Sequence, residues 1–255
     1  MKIVVCVKEV PDSAAARRID RATMRLDRSG EKVLNPFDTH ALEEAVQIAE
    51  RSEGSEVVAL CMGPEGAVRT LHKALSLGAD RAVLVSDEAL AGADIAVTAR
   101  VLAAALARET PDLVLLGQQS ADGDSYVMAA AIAEHLQRPL CTQVANLEVA
   151  GATLRAKRQS ESGYDVIELP LPAVIAVADS INEPRYASLK AIMGARKKPQ
   201  EQLSLAELGV AAETGTEVLE LSPPPAKQGG VTVEDEGGSS AERVLEFLVE
   251  RKVVA

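Results

Sequence analysis

The chain has no tryptophan, two phenylalanines and three tyrosines in 255 residues, so few rings are available to sandwich a flavin or stack on bases. Cations are also scarce: 27 Lys and Arg stand against 38 Asp and Glu, a formal net charge of -11. Phosphate affinity comes from clustered Lys and Arg, so this balance argues against a nucleic-acid binder and for a soluble chain. No apolar run approaches the roughly 20 residues that cross a bilayer, so no membrane insertion is expected. The start, MKIVVCVKEVPD, has its apolar run broken at Lys8 and lacks a small-residue cleavage pattern; it reads as a first strand, and a cytoplasmic location is expected. Cys6, Cys61 and Cys141 lie far apart with no CxxC, which excludes a disulfide framework or zinc site and leaves them as small buried hydrophobes. His40, His72 and His135 have no second ligand at metal spacing.

The first 140 residues alternate short apolar runs with helix-period segments. IVVCV (3–7), VVALCM (57–62), RAVLVS (81–86) and DLVLLG (112–117) are nearly continuous, as buried parallel strands are. In THALEEAVQIAE, Leu42, Ala45, Val46 and Ala49 fall on one helical face with the acids on the other, and Thr39 is the expected N-cap. EGAVRTLHKALSLGAD repeats the pattern and stops at Gly78. ADIAVTARVLAAALARE forms a third helix, and a fourth is expected from about Asp124 to Leu136. This spacing predicts an α/β fold, an open and mostly parallel Rossmann-like sheet with helices on both faces. After residue 140, stricter alternation with Gly151 and Gly163 at turns predicts added antiparallel strands. From Pro199 the chain is expected to leave the 1–198 domain as a C-terminal arm, 199–255, rich in Pro, Gly and acids. A terminal helix follows, with a capping-box candidate at Ser239 and Glu242. Its stripe of Val244, Leu245, Leu248 and Val249 must pack either on its own domain or on a partner subunit.

Open parallel sheets bind ligands at the carboxyl ends of their strands. The segments there are VKEVPDS, NPFD, MGPEG and GQQSADGDS. The last runs from a strand through a Gly- and Ser-rich turn into a helix, where backbone N–H groups can hold a phosphate; Asp122 and Asp124 oppose that unless they cap, accept from ribose or face away. A solvated capping loop is the other reading of the same residues. No GxxxxGK[ST], strand-following GxGxxG, GxSxG or HExxH occurs, so a nucleotide pocket is expected without residues to turn the nucleotide over.

Together NPFDTHALEEAV, DLVLLGQQSADGD and INEPRYASLKAIMGARKK resemble the beta subunit of an electron transfer flavoprotein, in order and spacing, over about four-fifths of the chain. The resemblance implies a heterodimer with an alpha subunit that carries FAD, AMP as a structural nucleotide in this chain, dehydrogenases as electron donors and a quinone oxidoreductase or similar acceptor. It implies no catalytic residues of the chain's own. By position, the nucleotide site implied is Cys6, the turn Asn35, Pro36, Phe37 and Asp38, then Met62. It continues through the loop Gly117, Gln118, Gln119, Ser120, Ala121, Asp122, Gly123, Asp124, Ser125, Tyr126, Val127 and Met128. Phe37 matches the family's ring near the flavin, whereas Ser13 stands where some members carry Tyr. The implied partner-recognition loop, about 182–198, comprises Asn182, Glu183, Pro184, Arg185, Tyr186, Leu189, Ile192 and Met193, with Leu189 as anchor and a basic island of Arg185, Lys190, Arg196, Lys197 and Lys198 around it. The arm and its helix are then expected on the alpha subunit.

Electron-bifurcating members hold a second FAD in place of AMP. Here GADIAVTA and DGDSYVMA keep Thr98 and the DGD, while Ile95, Ala99, Tyr126 and Met128 lack the hydroxyl and amide groups expected around a flavin diphosphate, which favours AMP. A universal-stress-type adenine-nucleotide-binding protein is the alternative from another class; it has no use for NEPRY or the long tail.

Overall fold

Ile3, Val4, Val5 and Cys6 are all buried, and they alternate between two cores: Ile3 and Val5 face one, Val4 and Cys6 the other. A strand buried on both sides has to lie inside a sheet covered on both faces. The computed structural model describes residues 1–14, 18–222, 225, 230, 232–235 and 237–254.

The strands are β1 (Lys2–Cys6), β2 (Glu9–Pro11), β3 (Ile19–Asp20), β4 (Arg25–Leu26), β5 (Lys32–Leu34), β6 (Glu56–Met62), β7 (Arg81–Val85), β8 (Leu113–Gly117), β9 (Leu140–Ala150), β10 (Thr153–Ser160), β11 (Gly163–Pro170), β12 (Ala173–Val177) and β13 (Gln200–Leu203). The helices are α1 (Pro36–Arg51), α2 (Val68–Leu77), α3 (Ile95–Glu109), α4 (Met128–Leu136), α5 (Leu189–Ala195), α6 (Leu205–Leu208) and α7 (Ser240–Glu250). Nine strands form the main sheet in the order β11-β10-β9-β12-β8-β1-β6-β7-β13. From β12 to β13 every neighbouring pair is parallel, and β9, β10 and β11 make the expected antiparallel meander. Gly151 and Gly163 turn it with φ of +62° and +138°. Helices α1, α2 and α5 contribute to one core, and α3, α4 and α6 to the other. The chain steps outward from β1 through β6 to β7, then returns to the other side of β1 as β8, so the order reverses at β1. In a doubly wound sheet a crevice opens at that reversal.

Four expectations need correction. Thr39 is not the cap of α1: Asn35 precedes the helix and Pro36 occupies its first turn, where a missing N–H costs nothing. Helix α4 starts at Met128 rather than near Asp124, because Asp124 and Tyr126 have φ of +43° and +54°, which no helix tolerates. Glu43 and Glu44, expected on a solvated face of α1, are buried. Ser239 makes no side-chain cap on α7, so the box with Glu242 does not form; Asp235 Oδ1 accepts from the N–H of Gly238 at 2.9 Å and of Ser240 at 3.4 Å instead.

The compact unit that holds the sheet is Met1–Leu219, so the expected boundary at 198 falls inside it: β13 pairs with β7 from Gln200↔Ala82 to Leu203↔Val85. A capping box does occur there, between Ser204 and Glu207 at the start of α6. The second unit, Glu220–Ala255, contains α7, on which Val244, Leu245 and Val249 are exposed. Among the described residues, no helix is long and apolar enough to cross a membrane.

Candidate functional site

The carboxyl ends of β1, β6, β7 and β8 open into a cleft of about 2070 Å³, lined by Cys6, Met62, Ser86 and Gly117 at the strand ends. Asn35 and Asp38 of α1 form part of its wall, and Gln118, Gln119, Ser120, Gly123, Ser125, Tyr126 and Met128 come from the loop between β8 and α4. Twelve of the eighteen nucleotide-site positions expected from the sequence therefore border one cleft. The other six support it. Pro36 starts α1, and Phe37 packs its backbone against Gly117. Ala121 donates its N–H to Asn35 Oδ1 at 3.1 Å, Asp122 is held in ion pairs, and Asp124 and Val127 shape the turn before α4.

Asn35 does not cap its own helix with its side chain because that side chain is engaged elsewhere. Its Nδ2 donates to the Gln119 carbonyl at 2.9 Å while its Oδ1 accepts from Ala121, which staples the glycine-rich loop to α1. Asp38 is buried one turn on, where Oδ2 accepts the Lys8 N–H at 2.8 Å. Burial pushes its carboxyl up to about 7, against hydrogen bonds from Asn35, Lys8 and Gly117. Cys6, beside it, is a buried thiol that burial and the Asp38 charge push up, so it packs rather than reacts. Cys61 and Cys141 are likewise free and buried, in β6 and β9.

The two aspartates of the DGD turn take different parts. Burial would raise the Asp122 carboxyl, but Lys8 Nζ at 2.8 Å and the Arg28 guanidinium outweigh it and hold the group down at about 2. Its charge is thus matched by two cations, and it does not repel an anion at the adjacent helix end. Asp124 is exposed and does not line the cleft. Among the helices that begin at the cleft, α4 has no side-chain cap, which leaves its first N–H groups open to an outside acceptor. Helix α3 is capped: Asp94 Oδ1 accepts from Val97 N at 2.8 Å, and its Oδ2 holds Gly215 N at 2.9 Å and Thr216 Oγ1 at 3.1 Å.

Sequence reading missed three parts of this wall. Lys8 had a visible signal, a cation directly after the first strand. Arg28, beyond the β3–β4 ribbon, and the segment around Gly215 and Thr216 had none, because both reach the cleft only through tertiary contacts.

The raised Asp38 carboxyl predicts a pH effect. The folded chain keeps this proton up to about 7, whereas the unfolded chain releases it near 3.8, so the group's stabilising contribution is complete below 3.8 and lost as pH rises to about 7. Asp122 works in the opposite sense and in another window, its contribution being lost as pH falls from 3.8 to about 2. Asp38→Asn is therefore expected to flatten the decline of Tm between about pH 4 and 7. Parallel slopes for variant and parent would disprove the assignment.

None of the residues 182–198, expected to recognise a partner, lines the cleft. Tyr186, Leu189, Ile192 and Met193 are exposed, at 97%, 75%, 51% and 70%. Glu183 is exposed and Pro184 half-buried, while Asn182 and Arg185 turn back onto α1. Arg185, expected to be a free charge of the basic island, pairs with Glu43 and Glu50, and Lys198 Nζ donates to the carbonyls of Leu75 at 3.0 Å and Ala79 at 2.5 Å at the end of α2.

A sheet whose strand order reverses above a cleft, with a glycine-bearing loop leading into an uncapped helix, defines a Rossmann-like α/β domain. The sequence matches the family described as the electron transfer flavoprotein domain over residues 23–208. It is 39% identical to the electron transfer flavoprotein subunit beta of Mycobacterium leprae (strain TN), with 99% of each chain covered. It is 36% identical to the subunit of the same name from Thermoanaerobacterium thermosaccharolyticum over the whole of both chains. Identity is 37% to the caffeyl-CoA reductase-Etf complex subunit CarD of Acetobacterium woodii, covering 96% of this chain and 98% of that one. The chain belongs to the electron transfer flavoprotein family, as one of its beta subunits.

Proposed function

We propose that this chain pairs with an alpha subunit and holds AMP as a structural nucleotide in the cleft. It then forms one wall around an FAD carried mainly by that partner and docks dehydrogenases through residues 182–193. FAD supplies the electron-accepting chemistry; electrons then pass to a quinone oxidoreductase or similar acceptor. The chain itself is an electron-carrier subunit whose residues position rather than react, and the 220–255 segment with the apolar stripe of α7 wraps the alpha subunit.

The observation that carries the nucleotide reading is the uncapped start of α4 beside a neutralised Asp122. Free helix N–H groups with no opposing charge suit one phosphate. In the same loop Gln119 Oε1, buried without a hydrogen-bond partner, is an acceptor still to be satisfied. A bound nucleotide then stabilises the folded chain by mass action.

The cleft volume supports a second reading, a second FAD in place of AMP, because about 2070 Å³ exceeds the roughly 300–1,000 Å³ of ordinary small-molecule sites. The α3 terminus weighs against it. Asp94 already fills that helix end with a carboxylate, so the start of α3 is not open to a phosphate.

Co-expression with the alpha subunit, purification of the complex and analysis of its released nucleotides is the test. One AMP and one FAD per heterodimer are expected. Two FAD and no AMP would replace the first reading by the second, and a stable homodimer that binds ATP and forms no yellow complex would overturn both.

A further inference from the structure

The segment expected to dock a partner is fastened at both ends to the domain's own helices. At its start, Asn182 Nδ2 donates to the His40 carbonyl at 3.1 Å and to Glu44 Oε2 at 3.0 Å, while His40 Nδ1–H donates to the Asn182 carbonyl at 3.0 Å. Arg185 follows. Its Nε and Nη2 meet the two oxygens of Glu43 at 2.8 and 3.0 Å, its backbone N–H donates to Glu43 Oε2 at 3.1 Å, and Nη1 and Nη2 meet Glu50 at 2.6 and 3.1 Å. At the far end Lys198 closes the C-terminus of α2. Between these points the backbone is bracketed, and Tyr186, Leu189 and Met193 point outward into solvent.

An arginine that steers a partner keeps its guanidinium available. Here four side-chain bonds direct it to two carboxylates of α1, one of them buried. A planar guanidinium holding two carboxylates has far fewer rotamers than a free one, so the backbone that carries it is fixed in place. Burying Glu43 requires this partner: burial alone would raise its carboxyl, and the bonds from Arg185 and Gln47 hold it below the usual range.

We infer that Arg185 is a positioning residue, clamped by Glu43 and Glu50 so that the 186–193 surface is presented in one conformation, and that it is not a charge offered to the docking partner. The inference rests on the docking role proposed above. Steering then falls to Lys190, Arg196 and Lys197, which are exposed. Docking onto a preset surface avoids the cost of ordering the loop at the moment of binding.

The two roles predict effects of opposite sign for the carboxylates. If Arg185 positions the loop, Glu43→Gln and Glu50→Gln loosen it and slow the bimolecular reduction of the heterodimer's flavin by a purified dehydrogenase of the same organism. A slowing of about fivefold is expected, corresponding to roughly 1 kcal/mol. The limiting rate at saturation and the dependence on ionic strength stay as in the parent. If Arg185 is a steering charge, removing either acid leaves the rate unchanged or raises it, and Arg185→Gln flattens the salt dependence; either result overturns the inference. Should Glu43→Gln fail to assemble, Glu50→Gln decides, because that carboxylate is exposed. Leu189→Ala serves as the reference. If it is slow while both acid variants match the parent, the clamp falls and docking stands; if all three match the parent, the docking role itself falls.

Discussion

Gly117→Ala is expected to leave little folded protein, and what folds is expected to lose the nucleotide proposed for the cleft. A Cβ at this position, built on the observed backbone, lies 2.5 Å from the Phe37 carbonyl carbon, 2.7 Å from Phe37 Cβ and 2.7 Å from Asp38 Oδ1. None of these atoms is the loose end of a long side chain. Phe37 and Asp38 form the first turn of α1, and Asp38 is locked to the Lys8 N–H on the neighbouring strand end. Relief therefore requires α1 to move off β8, which strips Leu42, Ala45 and Val46 from their core. Overpacking of a tight interior costs about 1–3 kcal/mol, and a backbone that cannot yield puts this site at or above the upper end. The same movement draws Asn35 away from Gln119 and Ala121, so the cleft loses its staple. Gly194→Ala is the control: nothing lies within 4 Å of the added carbon, and it sits inside α5, where alanine is the better helix former by about 0.5–1 kcal/mol. Urea or thermal unfolding of the purified heterodimer, with its nucleotide content, measures both. A Gly117→Ala complex with the parent's Tm and nucleotide would show that α1 gives way freely.

The parallel half of the fold was legible because strands buried on two faces leave a plain signature. IVVCV and DLVLLG have no polar face to show, and the helices between them carry one apolar stripe each. The cleft was legible for a related reason: in such a sheet the strand ends locate it without any knowledge of side chains. What was not legible came from contacts distant in sequence. Glu43 and Glu44 look like the wet face of an amphipathic helix until the chain returns at Asn182 and Arg185 and covers them. β13 is QEQL, polar by composition, and pairs as an edge strand beside β7. Arg28 and Thr216 follow no local rule at all. The start of α1 at Asn35 was readable in principle, since Pro36 marks a first helical turn; the later start of α4 was not, because the left-handed Asp124 and Tyr126 that delay it are not glycine.

With residues 182–193 docking a dehydrogenase as proposed, Leu189→Ala is expected to raise the KM of the heterodimer as electron acceptor by about 30-fold, on the scale of a hot-spot truncation of 2 kcal/mol. The side chain is three-quarters exposed at the start of α5, capped by Ser188, whose hydroxyl accepts from Ala191 N at 3.2 Å. Truncation thus removes no packed group and opens no cavity, so Tm, heterodimer yield and flavin spectrum should be unaltered. An exposed leucine alone proves nothing, since soluble proteins carry many. What sets this one apart is company and support. Tyr186, Ile192 and Met193 are exposed with it, on a segment pinned by Arg185 at one end and Lys198 at the other. An apolar anchor with exposed cations around it suits an electron-transfer contact, which must form quickly and part again: the cations raise the encounter rate, and one buried side chain holds the pair long enough for transfer. Val166→Ala, another exposed aliphatic, on β11, is the matched control, expected to leave KM as it was. Equal kinetics for Leu189→Ala and Val166→Ala would remove residues 186–193 from the docking surface, whereas a loss confined to Leu189→Ala, with the limiting rate intact, places the defect in association rather than in the flavin.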